Sequence, residues 1–153
     1  MNLMNKLMEK RKTNNKGFSL VELIIVIAIM AILVGIVGTQ VIPYLNKSKE
    51  AKDFQIINSY STAAMTTYSS NAEKITGDTT ITLYDDADST DLEKEVIALV
   101  GYNNAGALQA KMGSNKGKSV DKVVITISIS GKKITTQAYS GSATVFDSVV
   151  AEL

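Results

Sequence analysis

From Phe18 to Ile42 the chain carries a single charge, Glu22, across 25 residues. A helix of that length rises about 37 Å at 1.5 Å per residue, enough to cross a ~30 Å hydrocarbon core with some tilt. An ordinary secretory signal has an apolar region of only about 7–15 residues followed by a small-residue cleavage site. Ala28 and Ala31 imitate such a site loosely, but apolar sequence continues well past them, and a cut there would discard half of a good membrane anchor. A charged side chain in a membrane span costs on the order of 2.5–3.5 kcal/mol at the helix centre and less near its end, and is usually kept for function. Glu22 therefore needs a reason.

Charge sets the expected orientation. Lys6, Lys10, Arg11, Lys12 and Lys16 precede the span against Glu9, whereas Lys47, Lys49 and Lys52 follow it against Glu50 and Asp53. The excess before the span keeps the N-terminus cytoplasmic and sends residues 44–153 out of the cytoplasm. The formal charge of +1 is misleading, because residues 18–153 hold 11 basic against 14 acidic side chains. Nothing in that balance points to nucleic acid.

The junction reads Lys16-Gly17-Phe18-Ser19-Leu20-Val21-Glu22. This string, with the full span behind it, resembles the N-terminus of type IV pilins. In that family an inner-membrane aspartyl peptidase cuts after the glycine and methylates the new terminal residue. The resemblance therefore implies a cut between Gly17 and Phe18, a methylated Phe18, and an assembly role for Glu22 at the family's conserved glutamate position. Gly17 would let the backbone lie close in a peptidase site. The Phe18 amine is a cation that must be neutralised if the helix leaves lipid for a packed filament core, and Glu22 of the same or a neighbouring subunit is the carboxylate at that depth. Implied partners are the prepilin peptidase, other copies of the chain in a helical filament, the pilus assembly machinery, and the membrane before assembly. The implied route starts in the cytoplasmic membrane, as a single-pass precursor, and ends in an extracellular pilus.

The chain departs from the family pattern in places. Its leader is 17 residues long, with Met4 and Met8 as further candidate starts. Thr39 stands where the family often has a proline, and Pro43, the only proline, comes four residues later. A helix-interior proline removes a backbone bond and crowds the preceding turn. With Gly35 and Gly38 just before it, a kink or melted turn is expected within 35–43. Ala28, Ala31, Gly35 and Gly38 recur at spacings of three, four and three, placing small residues on one helix face where backbones can approach closely.

Beyond Pro43 the pattern becomes amphipathic. Phe54, Ile57, Ser61, Ala64 and Tyr68 step by three and four, so one helix is expected from about Ser19 to Asn71. Val123, Ile125, Ile127 and Ile129 alternate with polar or outward-facing residues and predict a strand. A two-residue turn at Gly131-Lys132 would pair Ile129 with Ile134, Ile127 with Thr136 and Ile125 with Ala138. Thr80–Tyr84 is a further candidate strand. Thr90 and Glu93 fit a capping box before a helix over Asp91–Val100. The segment from Val145 to Leu153 suits a helix or a strand. The expected fold is α+β, a long N-terminal helix on a small antiparallel sheet. It divides into a leader (1–17), a transmembrane and filament-core helix (18–43) and an exported domain (44–153).

Two motifs are decoys. Gly113-Ser114-Asn115-Lys116-Gly117-Lys118-Ser119 falls one residue short of a phosphate loop and precedes a strand, so it reads as a flexible, solvated loop. Asp85, Asp86, Asp88 and Asp91 copy half of a calcium loop, but Asp91 replaces the required glycine and Ile97 the final glutamate. They read as a charged turn that favours the following helix N-terminus. The chain has no histidine and no cysteine, hence no usual general base, no thiol nucleophile and no soft metal ligand. No enzyme, cofactor or metal is expected. The expected role is a structural subunit of a type IV pilus. The alternatives are a pseudopilin of a secretion or DNA-uptake system, or a single-pass anchored binding protein that never polymerises.

Overall fold

The computed structural model describes residues 2–6, 17–85 and 89–153. Contacts gather the chain into two compact units, Met1–Pro43 and Tyr44–Leu153.

The helix expected from Ser19 to Asn71 runs from Leu20 to Ser70. Its first part, α1 (Leu20–Ile36), is capped by Ser19 and buries no residue. The irregularity expected within 35–43 is a π-helical segment at Val37–Val41, and α2 (Ile42–Ser70) follows directly. Pro43 explains the position. In an α register its ring would crowd the carbonyl of Thr39, and it brings no N–H. Widening the turn lets the Ile42 N–H reach back five residues to the Val37 carbonyl. Thr39 Oγ1 donates to the Gly35 carbonyl at 2.9 Å. The turn is thus rewired rather than melted.

In the second unit, α2 turns Asp53, Ile57, Tyr60, Ser61, Ala64 and Thr67 inward. The expected stripe was rotated slightly from this face, since Phe54 and Tyr68 lie at its half-buried edge. The sheet is antiparallel throughout. Strand β1 (Thr79–Leu83) pairs with β2 (Lys122–Ser128), which pairs with β3 (Lys133–Ser140). The far side of β3 carries β4 (Ala143–Thr144) beside Tyr139 and β5 (Val149–Glu152) beside residues 133–136. The ambiguous tail is therefore an edge strand at its end. Ile57, Tyr60 and Ala64 share a core with Leu83, Val123, Ile125, Ile127 and Ile134 of the sheet. Val96 of α3 (Asp91–Val100) and Leu108 of α4 (Ala105–Lys111) close it. Removing one such isoleucine or leucine to alanine costs about 2–5 kcal/mol.

The β2–β3 register differs from expectation by two residues. Ile127 lies opposite Ile134, Ile125 opposite Thr136 and Val123 opposite Ala138. The turn is longer than two residues, and Lys132 rather than Gly131 takes the left-handed conformation, at φ 51°. Asp78 accounts for this. Its carboxylate accepts from the Ile129 N–H at 2.8 Å and the Ser130 N–H at 3.3 Å, and from the Ser128 and Ser130 hydroxyls. These bonds hold its pKa below the ordinary carboxylate range, the Ser130 and Ile129 amides first.

Thr90 caps α3, its Oγ1 accepting from the Glu93 N–H at 3.2 Å. Glu93 does not complete the expected box. Its carboxylate is buried and faces the Tyr84 N–H at 3.4 Å. Tyr84 closes a second polar cluster. Its hydroxyl donates to the Tyr102 carbonyl at 2.7 Å, so the Tyr60 hydroxyl, 2.7 Å away, donates to Tyr84. Burial, reinforced by that bond, pushes the Tyr60 phenol well above its ordinary pKa.

The glycine-rich decoy is not a solvated loop. Ser114 caps a short helix, α5 (Asn115–Lys118), and both Ser114 and Gly117 are buried. Its backbone does hold an anion, which is the chain's own Asp53. That carboxylate accepts from the Gly113 and Ser114 N–H groups at 2.8 Å each, and from Ser114 Oγ at 2.5 Å. A Cβ at Gly117 would collide with the Asp53 carboxylate and approach Met112 Cβ to 2.9 Å, so glycine is required for the close approach. Of the aspartate cluster, Asp86 and Asp88 lie outside the described residues.

Candidate functional site

The geometry at the start of α1 follows from Ser19-x-x-Glu22. Ser19 has extended backbone, at φ −68° and ψ 154°. Its Oγ accepts from the Glu22 N–H at 3.2 Å, and Glu22 Oε2 accepts from the Ser19 N–H at 3.1 Å. This reciprocal box satisfies two of the donors that a helix N-terminus leaves open, and it sets a carboxylate against the positive end of the helix dipole. Sequence reading gave Glu22 an assembly role and overlooked this local one, although a serine three residues before a glutamate at the head of an apolar run signals it.

Gly17 and Phe18 lie outside the helix, and Phe18 is 87% exposed. Among the described residues no atom approaches within 4 Å of a Cβ built at Gly17, so none of them requires glycine there. The Glu22 carboxylate, bonded to the Ser19 amide, stands one residue from the Phe18 nitrogen along the backbone. The basic residues from Lys10 to Lys16 lie outside the described residues.

Ala28, Ala31 and Gly35 sit on α1 and are exposed, with open space beside Gly35. Gly38 is also open but falls inside the π segment, where each residue advances the helix less than in an α turn. Around them Ile24, Ile25, Ile27, Ile29, Ile32 and Leu33 are each more than half exposed. Among the described residues, Leu20–Ser70 is the one helix long and apolar enough to cross a membrane.

Residues 12–38 match the family model of the prokaryotic N-terminal methylation motif. Over this stretch the chain is type IV pilin-like. No curated protein and no solved structure matches it. That motif marks type IV pilin-like proteins, pilus subunits and pseudopilins alike, and such proteins are structural and not enzymes. It implies processing by prepilin peptidase, and with the apolar helix it points to membrane anchoring and a surface or pilus location.

Proposed function

We propose that the chain is a structural subunit of a type IV pilus. In this reading residues 1–17 are the leader, 18–43 the membrane and filament-core helix, and 44–153 the exported domain. The supporting observation is α1, a 17-residue apolar helix of which no residue is buried, headed by a methylation motif. Such a surface needs lipid or other copies of itself. The peptidase cuts between Gly17 and Phe18, and Phe18 becomes the methylated terminus. The subunit waits as a single-pass protein with its N-terminus in the cytoplasm. It then adds head-to-tail to a growing helical fibre, with the assembly machinery as partner.

Glu22 acts at that step. An opposite charge within ~4–6 Å favours both charged forms, so a carboxylate at this depth compensates the Phe18 amine. The capping box supports an intramolecular pairing before assembly, since Glu22 is already turned toward its own N-terminus. On docking, the carboxylate of a neighbour takes over that role, and the stripe of Ala28, Ala31, Gly35 and Gly38 allows close packing. Mass spectrometry of surface filaments, sheared off and seen by electron microscopy, tests the reading. A methylated Phe18 in a filament built of this chain is expected. An intact leader on a protein that forms no filament would favour the non-polymerising anchor.

A further inference from the structure

We propose that the lysines where α2 enters the second unit form a seat for anionic phospholipid headgroups, occupied while the subunit waits in the membrane. This rests on the anchored-precursor reading above. Lys47, Lys49 and Lys52 on α2, with Lys111, Lys116 and Lys118 on and after α4, are six of the 11 lysines in residues 44–153. All six are exposed. The two stretches are joined by the Asp53 bonds to Gly113 and Ser114. Lys116 Nζ lies 3.9 Å from Glu50, and a Cβ at Gly113 would stand 3.6 Å from Lys49 Cγ.

Lys47 and Lys116 line one groove of about 540 Å³ whose walls include Phe54, Val145 and Phe146. Two carboxylates, Glu50 and Asp147, also line it, and Glu50 is paired with Lys116. Eleven of the 13 acidic residues of this unit are not among its lining residues. Ammonium groups beside an aromatic wall suit a phosphodiester joined to an apolar glyceryl and acyl portion.

The position favours lipid over other anions. Lys47 stands five residues beyond Ile42, which is about 7 Å along a helix. Tyr44, between them, is 76% exposed, as befits a residue at the membrane–water boundary. Lysines on the translocated flank also oppose the orientation that the leader imposes, so their presence requires another benefit. Basic residues beside a span attract anionic lipid, and each contributes about fivefold in affinity.

The test uses the full chain reconstituted in lipid nanodiscs. The sequence has no cysteine, so Asn115→Cys accepts one fluorophore, and Thr62→Cys serves as a control further along α2. Energy transfer to a headgroup-labelled lipid is compared between phosphatidylcholine discs with and without phosphatidylglycerol. Stronger transfer from position 115 with phosphatidylglycerol is expected, abolished by high salt, reduced by Lys47→Gln with Lys116→Gln, and absent at position 62. Equal transfer in both discs, with normal insertion, would overturn the headgroup assignment alone. Transfer or protection at 115 that rises with the number of chains per disc, without anionic lipid, would instead assign the lysines to an acidic surface of a second copy. Failure to insert in either disc would overturn the anchored reading and this proposal with it.

Discussion

α1 and the buried stretch of α2 are opposite answers to one problem. α1 is far the more apolar, yet none of its side chains is buried by the rest of the chain. The stretch from Asp53 to Thr67 is rich in serine and threonine, yet it buries Ile57, Tyr60 and Ala64 completely. Hydrophobicity alone therefore does not say which segment builds the domain. The sheet selects a face with the right shape and places one tyrosine in it. The greasier helix is left for a solvent or a partner outside the chain.

The comparison breaks most sharply at the cut. Gly17→Val should abolish processing, because a β-branched side chain obstructs close backbone approach in a peptidase. None of the described residues crowds Gly17, so the change should leave their fold intact, and normal maturation on a gel would sink the site assignment.

Glu22 sharpens it next. Glu22→Ala should leave cleavage largely intact, reduce filaments sharply and strand processed subunit in the membrane. Glu22→Gln separates the two roles. It retains an acceptor for the Ser19 amide while losing the charge, so a capping role worth about 1 kcal/mol would restore filaments and a charge role would not. Wild-type filament yield from Glu22→Ala would remove the assembly role altogether.

On the other side, a protein beginning at Lys47 should be a folded monomer with mixed helix and sheet in circular dichroism. Aggregation at neutral pH would show that the division at Pro43 is misplaced. In that background Asp53→Ala should cost about 2–4 kcal/mol by urea unfolding, because buried amide and hydroxyl donors lose their acceptor. Gly117→Ala should also destabilise, since a Cβ there meets the same carboxylate.

The smallest effect belongs to Asp78. Its folded pKa is depressed, so its contribution is present above the ordinary carboxylate value of about 3.9 and is lost as pH falls through the lower folded value. Asp78→Asn should flatten the acid limb of stability slightly, and an unchanged limb would show that its bonds add nothing measurable in this exposed loop.

These residues also show what sequence could carry. The long helix, the strand near Thr80, the helix from Asp91 and the faces of β2 and β3 were legible from periodicity and caps. Register was not. Alternation has period two, so a slide of two residues leaves every side chain on the same face, and the choice fell to Asp78, some fifty residues from the turn it holds. The glycine-rich segment was misread for a related reason. Its spacing falls short of a phosphate loop and so read as a flexible, solvated loop, yet its backbone holds an anion that comes from Asp53, 60 residues earlier in the chain. The methylation motif was legible within the matched residues 12–38, whereas the Ser19–Glu22 box lay hidden beneath the role proposed for its carboxylate.

The Asp53 seat also has a mechanical meaning. Any pull transmitted along the helix enters the second unit at Tyr44 and soon reaches Asp53, the first fully inward-facing residue of α2. There the tension is shared with two backbone amides and a hydroxyl of a segment far away in sequence, before it reaches Ile57 and the core. In the pilus reading, traction along the helix would therefore meet this polar clasp before it meets the apolar core.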